Sequence, residues 1–505
     1  MNILSPAQVR AAENAANAAG TSYEEMMETA GRGCAEILLE RYGDCRSFVI
    51  LAGKGKNGGD GYVCARVLSN AGKAVTVIRV FCEPGDPLSE RMRQRLPAAV
   101  ETLVFQDAHD LCAERIAGAA VIVDAIFGIG FRGRFPGSVK AAVALADKAK
   151  AKRAAIDLPS GLGEASEEDT SFRAELTVSM YCLKNEHVFA PYRAFCGETA
   201  VVPIGIPEWT DPVPGALTKK EAAALLPPRP YNANKGTFGN TLIFGGCRAM
   251  PGAGILAAGG ALKSGAGLVT VALPEENLPI AACAVPECVF LPLGTDAGGF
   301  LKTENSAVFE KNKHKYTAVV LGNGMGQTEE TRALAADVLK TSVCPVVLDA
   351  DGINAAAAHI DVLKEAASPV LLTPHPGEMS RLTGLSAGEI NADRENVAAA
   401  FAKEHGVFVL LKGETTVIAS PDGRVYLNPT GSTALARGGS GDVLAGVIGA
   451  LLSQGTAPFE ALCLGAYVHG LAGELSEKEN TAYGATTAEN LRHLPPAFKT
   501  ILESK

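Results

Sequence analysis

Several patterns that mark particular protein classes are missing from this sequence of 505 residues. Its twelve cysteines include no C-x-x-C pair, and no histidine stands at zinc-finger spacing from Cys283 and Cys288, so no structural zinc site is indicated. The N-terminal segment has neither a basic stretch nor an apolar core, and we expect no signal peptide. The charge-free stretch at 443–459 is interrupted by glycine, serine, glutamine and proline and falls short of a membrane span. We therefore expect a cytoplasmic protein with reduced thiols and no membrane partner.

An excess of positive charge is also missing. The net charge is −9, and the two sides of position 215 carry 23 basic against 27 acidic and 23 basic against 28 acidic side chains. Because no domain is basic, we expect no nucleic-acid partner. Hydrophobic residues make up 47% of the chain, which is enough to bury ordinary cores, and the 55 glycines occur in clusters. Such clusters are typical of backbone loops that approach a ligand closely.

Short apolar runs alternate with helix-length segments along most of the chain. This rhythm predicts parallel strands joined by helical crossovers, and near-continuous apolar strands indicate a sheet covered by helices on both faces. The fold class is therefore α/β, with three layers in which a β-sheet lies between two layers of helices (α/β/α). The predicted strands are residues 48–51, 75–78, 120–123 and 154–156 in the first half, and residues 242–244, 268–271, 319–321, 346–348, 370–372 and 407–411 in the second.

A proline-rich segment at 205–229 separates the two halves. It contains five prolines around a short helical stretch at 219–226, and prolines spaced in this way are typical of a domain boundary. The halves carry different motifs and show no internal repeat. We predict two domains, 1–215 and 216–505, each with its own site.

The first half has a glycine-rich loop, GKGKNGGDG at 53–61, between its first strand and a helix. Backbone N–H groups exposed by such glycines favour an anion, as does a helix N-terminus. The loop also satisfies the G-x-G-x-x-G pattern of Rossmann-like domains, with Glu83 near the position of the ribose-binding acid. Ordinary dinucleotide binding is disfavoured by the Asp60 carboxylate at the phosphate position and by a second glycine loop, GIGFRGR at 128–134.

Polar side chains follow three predicted strands of the first half. Asn57, Asp124 and Ser160 stand at or just beyond carboxyl ends of strands, and in an open α/β sheet that edge binds ligands. One amide, one carboxylate and one hydroxyl are hard oxygen ligands that suit a monovalent or divalent cation. Asp157 stands at the same edge and is a candidate general base or acid.

The strings GKGKNGGDG, DAIFGIGFRG and DLPSG, preceded by EEMMETAGRG at 24–33, resemble the NAD(P)H-hydrate epimerase domain over about residues 1–206. The resemblance implies a catalytic Asp157 and a potassium ion held by Asn57, Asp124 and Ser160. It also implies that a hydrated nicotinamide nucleotide contacts Asp157 and the two glycine loops, although the family usually has asparagine at the position of Lys56. The loop residues concerned are Lys56, Asn57, Gly58, Gly59, Asp60, Gly128, Ile129, Gly130, Phe131, Arg132, Gly133 and Arg134.

The second half contains the run ARGGSGDVLAG at 436–446, in which three glycines precede a long apolar helix. This arrangement predicts an anion hole of backbone N–H groups at a helix N-terminus. Asp442 at that mouth can take a proton from a substrate hydroxyl, and phosphoryl transfer needs little more than a base, an anion cradle and Mg²⁺. A simple helix cap would explain one glycine and the aspartate, but not three glycines around Arg437 and Ser440.

Other candidates in the second half follow predicted strands. His375 stands between two prolines on a loop and is a candidate ligand contact, and the segment 412–416 can meet a nucleotide phosphate. Asp349 and Asp351 follow a buried strand, where the pattern is equally compatible with metal binding and with helix capping.

The strings PGA at 251–253, LGNGMG, LDADGIN, TPHPGE, LLKGETT and GGSGD resemble the ribokinase-like superfamily, and more narrowly the NAD(P)H-hydrate dehydratase domain, over about residues 219–505. The resemblance implies a ribokinase-like fold, Mg²⁺ and ADP as cofactors, and a catalytic Asp442. The implied contacts of the hydrated nucleotide are Ala253, Gly324, His375 and Asp442. Those of the adenosine phosphate are Lys412, Gly413, Glu414, Thr415, Thr416 and Gly441.

Together the two resemblances imply a bifunctional, homo-oligomeric enzyme that repairs hydrated NADH and NADPH (NADHX and NADPHX). The first domain would interconvert the R and S epimers. The second would dehydrate the S epimer in an ADP-dependent reaction that releases AMP and phosphate, although the residues alone do not separate ADP from ATP. Two alternatives stay open, a ribokinase-like small-molecule kinase fused to a nucleotide-binding domain and a non-catalytic nucleotide sensor.

Overall fold

The computed structural model describes residues 1–163, 166–167, 170–189 and 191–503. The chain forms two compact units, Met1–Ala216 and Leu217–Lys505, and each contains its own β-sheet. The predicted fold class, two α/β units with parallel-sheet cores, is confirmed.

The first unit has a seven-stranded parallel sheet in the order β3-β2-β1-β4-β5-β6-β7. The strand order reverses between β1 and β4, so the loops after these two strands flank a crevice at the carboxyl edge of the sheet. The elements are α1 (Pro6–Ala18), α2 (Tyr23–Tyr42), β1 (Ser47–Ala52), α3 (Lys56–Asn70), β2 (Ala74–Arg79), α4 (Pro87–Gln94), β3 (Glu101–Val104), α5 (His109–Ala117), β4 (Val121–Ala125), α6 (Gly137–Lys148), β5 (Lys152–Ile156), β6 (Leu176–Met180), α7 (Asn185–Val188), α8 (Arg193–Cys196) and β7 (Glu198–Val202).

Alternate residues of β1 explain why both faces of this sheet are covered. Ile50 belongs to a core cluster with Leu38 of α2, whereas Leu51 belongs to a second cluster with Val139 of α6. All four side chains are buried. Since burying a side chain of this size contributes roughly 1.5–3 kcal/mol, the two cores hold the strand ends in fixed positions.

The second unit has a nine-stranded sheet in the order β10-β9-β8-β11-β12-β13-β14-β15-β16, in which only β15 and β16 pair antiparallel to their neighbours. Its strand order reverses between β8 and β11. The elements are α9 (Lys219–Leu225), β8 (Asn240–Phe244), α10 (Pro251–Lys263), β9 (Leu268–Pro274), α11 (Leu278–Ala284), β10 (Val289–Leu293), α12 (Asn305–Asn312), β11 (Ala318–Leu321), α13 (Glu329–Thr341), β12 (Val346–Leu348), α14 (Asp351–Ala358), β13 (Val370–Leu372), α15 (Pro376–Thr383), α16 (Ala387–Ala392), α17 (Arg394–His405), β14 (Phe408–Leu411), β15 (Val417–Ala419), β16 (Val425–Leu427), α18 (Ser440–Ser453), α19 (Pro458–Gly484), α20 (Thr487–Arg492) and α21 (Leu494–Leu502).

The helices begin in two different ways. The side chains of Ser22 and Asp86 accept hydrogen bonds from backbone N–H groups in the first turns of α2 and α4. By contrast, α3 and α18 begin after Gly55 and Gly439 with no side-chain cap. Their first N–H groups are therefore available to a ligand at the carboxyl edge of the sheet.

The structure corrects two sequence-based assignments. Helix α3 begins at Lys56, not at 61, so Asp60 lies within the helix and not in a loop. The strands β3, β6, β7, β10, β15 and β16 are not among those that the sequence predicts. Strands β15 and β16 have three residues each, β10 contains Pro292, and the others mix polar with apolar residues, as Thr177 and Ser179 do in β6.

Two further features concern the helices and the cysteines. None of the described helices is both long and apolar enough to cross a bilayer. The twelve cysteines carry free thiols.

Candidate active sites

The first glycine loop leads directly from β1 into α3. A Cβ atom on Gly58 would collide with the carbonyl oxygen of Gly53, so the chain turns this tightly only because the side chain is absent. Lys56 is exposed, and its Nζ lies 4.6 Å from the centroid of the Tyr23 ring. The predicted contacts 56–60 thus lie in the uncapped first turns of α3, where backbone N–H groups can meet an anion.

The second glycine loop, 128–134, follows β4 and is fixed by an aromatic cluster. Phe131 is buried, and its ring centroid lies 4.5 Å from that of Phe127 and 5.3 Å from that of Phe135. Arg132 and Arg134 are exposed. The loop therefore presents two guanidinium groups from an anchored base, which suits a phosphorylated ligand.

One hydrogen-bonded cluster joins the three residues predicted to hold a cation. The Asp124 carboxylate accepts the hydroxyl and the backbone N–H of Ser160, each at 2.7 Å. Ser160 Oγ accepts the N–H of Phe127 at 3.0 Å, and the Asn57 amide donates to the Phe127 carbonyl at 2.9 Å. The other end of that amide, Asn57 Oδ1, is buried without a hydrogen-bond partner.

The electrostatics of this cluster fit a cation. Asp124 is fully buried, and burial raises its pKa to about 6. A cation would favour the carboxylate form and would give Asn57 Oδ1 a partner, and an unpaired buried oxygen costs about 1–3 kcal/mol. The donors are hard oxygens of the kind that alkali and alkaline-earth cations prefer. Within the described part of the chain, no three His, Cys, Asp or Glu side chains converge on a metal position.

Asp157 directly follows β5 and has a left-handed backbone with a φ of 67°. Its Oδ1 accepts a hydrogen bond from Lys184 Nζ at 2.6 Å, and its Oδ2 accepts the N–H of Ile129 at 3.2 Å. A Cβ atom on Gly128 would lie 2.6 Å from Oδ2, so glycine leaves room for the carboxylate beneath the second loop. Burial by itself raises the pKa of Asp157, but Lys184 outweighs burial and the net shift is downward. Asp157 is therefore a carboxylate that faces the second glycine loop.

Two further acids of the first unit have different surroundings. Burial, together with the charges of Asp157 and Glu13, raises the pKa of Asp60 well above its usual range. In its neutral form Asp60 does not repel an anion at the start of α3. Glu83 lies exposed beyond β2, and its backbone carbonyl accepts a hydrogen bond from Arg79 at 3.1 Å.

In the second unit, Asn323 links two carboxylates. Its Nδ2 donates to Asp442 Oδ1 at 2.7 Å and to Asp349 Oδ2 at 2.9 Å. Asp349 Oδ1 accepts hydrogen bonds from Thr373 Oγ1 at 2.6 Å and from Lys412 Nζ at 3.1 Å. These side chains follow β11, β12, β13 and β14 or begin α18, so the carboxyl edge of the sheet gathers them.

Both Asp442 and Lys412 have raised pKa values in this network, with different consequences for their charge. Burial, reinforced by the negative charge of Asp349, raises the pKa of Asp442 to about 7. Burial by itself lowers the pKa of Lys412, but Asp349 and Glu378 outweigh it and the net shift is upward. Lys412 therefore stays an ammonium group, whereas Asp442 can take up and release a proton near neutral pH.

The glycines predicted to form an anion hole lie at the start of α18. Gly439 has a φ of 86°, a conformation that favours glycine, and the Gly438 carbonyl accepts the hydroxyl of Thr487 at 2.8 Å. A Cβ atom on Gly441 would lie 3.2 Å from Lys412 Nζ. The uncapped helix N-terminus and a lysine ammonium group thus face the same space.

The segment 412–416 forms the turn between β14 and β15. Gly413 and Glu414 are exposed, whereas Thr415 is buried and Thr416 is half-buried. Arg394 donates to the carbonyl of Lys412 at 2.9 Å and so braces the turn from α17.

The remaining predicted contacts lie at neighbouring loops. A Cβ atom on Gly324 would lie 2.9 Å from the Cβ of Ala253, so these two residues meet at the start of α10. His375 caps α15, since its Nδ1 accepts the N–H of Gly377 at 3.0 Å. Burial and the charge of Lys412 lower the pKa of His375. The Asp351 carboxylate accepts a backbone N–H from Gly326 at 2.8 Å, so it braces the loop after β11.

Sequence reasoning misses three side chains that hold these aspartates, two through their carboxylates and His187 through the backbone carbonyl of Asp157. Lys184 and His187 follow β6, a strand that the sequence does not predict, and Asn323 enters only as a member of the string LGNGMG. The available signal is a lysine four residues beyond β6, at the same sheet edge as Asp157.

Two family models match the chain. The model described as YjeF-related protein N-terminus matches residues 23–186, and the model described as NAD(P)H-hydrate dehydratase matches residues 241–496. The two matches therefore fall separately on the first and the second compact unit.

Whole-length relatives carry both regions together. The bifunctional NAD(P)H-hydrate repair enzyme Nnr of Moorella thermoacetica is 35% identical over 95% of this chain and 93% of its own length. The enzyme of the same description from Escherichia coli is 31% identical over 92% of this chain and 88% of its own length.

Solved structures match the second unit. The ADP/ATP-dependent NAD(P)H-hydrate dehydratase of Bacillus subtilis, co-crystallised with ATP and Mg²⁺, is 34% identical with a TM-score of 0.50, and the match covers 57% of this chain and 98% of that one. A ribokinase-like superfamily protein of Enterococcus faecalis matches at 24% identity with a TM-score of 0.50, over 57% of this chain and 96% of its own. The second likeness concerns the fold alone, and it agrees with the predicted ribokinase-like architecture.

Proposed function

This chain belongs to the family of bifunctional NAD(P)H-hydrate repair enzymes, and we propose that it restores hydrated NADH and NADPH in two steps. The domain 1–215 interconverts the R and S epimers. The domain 216–505 dehydrates the S epimer with ADP and releases AMP and phosphate. The observation that carries the proposal is that Asp157 in the first unit and Asp442 in the second lie at the carboxyl edge of their sheets, beside a helix N-terminus without a side-chain cap.

In the first unit, we assign Asp157 to proton transfer at the hydrated ring. Its lowered pKa keeps the carboxylate ionised, and an ionised carboxylate can accept the proton of the ring hydroxyl. The loops 56–60 and 128–134 hold the nucleotide, with backbone N–H groups of α3 and the guanidinium groups of Arg132 and Arg134 directed to its phosphates.

Asn57, Asp124 and Ser160 are assigned to a potassium ion. The unpartnered Asn57 Oδ1 and the buried Asp124 carboxylate support this assignment, because both gain from a cation. A bound cation would supply fixed positive charge beside the substrate phosphates.

In the second unit, Asp442 takes the proton of the substrate hydroxyl. The terminal phosphoryl group of ADP then moves to that oxygen as its bond to AMP breaks, and loss of phosphate with a ring proton restores the nicotinamide. Lys412 and the N–H groups of α18 stabilise the phosphate charge, and Mg²⁺ would neutralise more of it. The Bacillus subtilis neighbour, which was crystallised with ATP and Mg²⁺, supports this choice of cofactors.

The same proposal places the enzyme in the cytoplasm as a homo-oligomer. Twelve free thiols suit a reducing compartment.

One assay tests both activities. Purified protein is mixed with an epimer mixture of hydrated NADH, Mg²⁺ and either ADP or ATP, and the return of NADH absorbance is followed with the release of phosphate. We expect full recovery of both epimers with ADP. Recovery of NADH from the S epimer alone would show that the assignment of epimerase activity to the first unit is wrong. A stable phosphorylated product without NADH would favour a ribokinase-like small-molecule kinase, and binding without turnover would favour a sensor.

A further inference from the structure

The first unit encloses the ammonium group of Lys184 completely. Lys184 is fully buried, and its Nζ donates to Asp157 Oδ1 at 2.6 Å, to Ser179 Oγ at 2.8 Å and to the Met180 carbonyl at 2.8 Å. An ammonium group has three N–H donors, and these three acceptors use all of them. Lys184 therefore has no donor left for a substrate.

The acceptors define the protonation state of the pair. The Met180 carbonyl can only accept, and the Ser179 hydroxyl directs its own hydrogen to the Cys182 carbonyl at 2.6 Å. Ser179 Oγ must therefore accept from Lys184. Asp157 is ionised, since its pKa is lowered, so its Oδ1 accepts as well, and three accepting contacts require three hydrogens on Nζ. Lys184 is thus an ammonium group, and Asp157 is its carboxylate partner.

His187 holds the same aspartate through the backbone. Its Nδ1 accepts the N–H of Lys184 at 3.0 Å, so the ring hydrogen lies on Nε2, which donates to the Asp157 carbonyl at 2.9 Å. This contact supports the left-handed backbone of Asp157, a conformation that non-glycine residues rarely adopt. The segment 184–187 therefore holds Asp157 at two atoms.

We infer that Lys184 is a positioning residue for epimerisation: it holds Asp157 Oδ1 so that Oδ2 faces the substrate beneath the second glycine loop. The inference rests on the proposed function of the first unit. The close approach of Gly128 to Oδ2 leaves the carboxylate little freedom, so a change in its rotation would move the reacting oxygen. Because a misplacement of this kind affects the reaction more than binding, Lys184 should influence kcat and leave KM nearly unchanged.

The test uses the full chain and separated R and S epimers of hydrated NADH, with no nucleotide added, so that dehydration does not consume them. Lys184→Met should lower kcat for interconversion by about 100-fold and change KM by less than about threefold. Lys152→Met is the matched control, since Lys152 pairs with Glu175 at the surface of β5, and its kcat should be unchanged. Dehydration of the S epimer with ADP and Mg²⁺ should be unaffected in both variants.

A rescue experiment separates positioning from a purely structural role. In Lys184→Ala, added ethylammonium chloride should raise kcat by about tenfold at constant KM, because the small ammonium can occupy the vacated volume. Tetramethylammonium chloride, which has no N–H donor, should have no effect.

The outcomes are distinguishable. A wild-type chain that fails to interconvert the epimers would refute the proposed function itself. With an active wild type, a Lys184→Met variant within about threefold of wild-type kcat would overturn the inference, as would parallel changes in kcat and KM without amine rescue. If Lys184→Met does not fold, the Ser179→Ala variant tests the inference instead. It removes one hydrogen-bond acceptor of Lys184 and keeps the ion pair between Lys184 and Asp157. The inference then requires kcat to fall at least about threefold at constant KM, and an unchanged kcat overturns it.

Discussion

Asp157 and Asp442 carry the same side chain and stand at the same edge of their respective sheets, yet their pKa values shift in opposite directions. Lys184 contacts Asp157 directly, and the net shift of the pKa of Asp157 is downward. Asp442 is joined through Asn323 to a second carboxylate, Asp349, and its pKa rises to about 7. Burial raises the pKa of both aspartates. The contact with Lys184 reverses this at Asp157, whereas the charge of Asp349 adds to it at Asp442.

Exchange of each aspartate for asparagine has the largest expected effect. Asp442→Asn should lower the rate of dehydration by about a thousandfold or more and leave epimerisation intact, and Asp157→Asn should do the reverse. Both rates are measured on the same preparations, so each variant is the control for the other. If both activities fell together in either variant, the assignment of two separate sites would be wrong.

The pH dependence should show the same contrast. Acid protonates Asp442 and removes the base, so dehydration should fall about 16-fold between pH 7 and 5.5 and approach a tenfold loss per pH unit below that. In saturating potassium, epimerisation should stay level over the same interval. The pKa of Asp157 lies below its usual range, and the bound cation keeps the Asp124 carboxylate ionised. Initial rates in buffers of constant ionic strength test this, and an acid limb near 7 in the epimerase would contradict the contrast.

Removal of Asn323, whose amide lies between the carboxylates of Asp349 and Asp442, should increase the difference in pH dependence between the two activities. Asn323→Ala takes a hydrogen bond from the charged form of Asp442, so the acid limb of dehydration should move to higher pH and the rate at pH 7 should fall about tenfold. Asn312→Ala, at the end of α12, removes a hydrogen bond to the Val308 carbonyl and is the matched control. A limb that moved to lower pH would show that Asn323 does not stabilise the carboxylate.

The smallest expected effect concerns the cation. Replacing potassium by choline should slow epimerisation about fivefold, equivalent to roughly 1 kcal/mol, and leave dehydration unchanged. In Asp124→Asn the rate should no longer respond to potassium. If the unaltered chain epimerised its substrate equally fast without potassium, the assignment of a potassium ion to Asn57, Asp124 and Ser160 would be wrong.

The parts of the two sites that could be predicted from sequence are those encoded locally. The glycine loops at 53–61 and 128–134 and the acids Asp124, Asp157 and Asp442 each adjoin an apolar strand or a long apolar helix, so short segments specify their places at the sheet edge. The family resemblance then supplied roles that local patterns alone left open.

The partners that tune those acids are determined by tertiary contacts. Lys184 lies 27 positions from Asp157, and Asn323 lies 119 positions from Asp442. No short pattern links such residues, because the strand order of each sheet decides which loops become neighbours. The strand that precedes Lys184 also escaped prediction, since Thr177 and Ser179 interrupt its apolar run.

Because α3 and α18 begin without side-chain caps, a bound phosphate completes hydrogen bonding that the chain itself leaves unfinished. Ligand and fold are then thermodynamically linked, and saturation at 100 times the dissociation constant adds about 2.7 kcal/mol to the free energy of unfolding. We therefore expect the chain to resist thermal unfolding and proteolysis best when the phosphates of both ligands are bound.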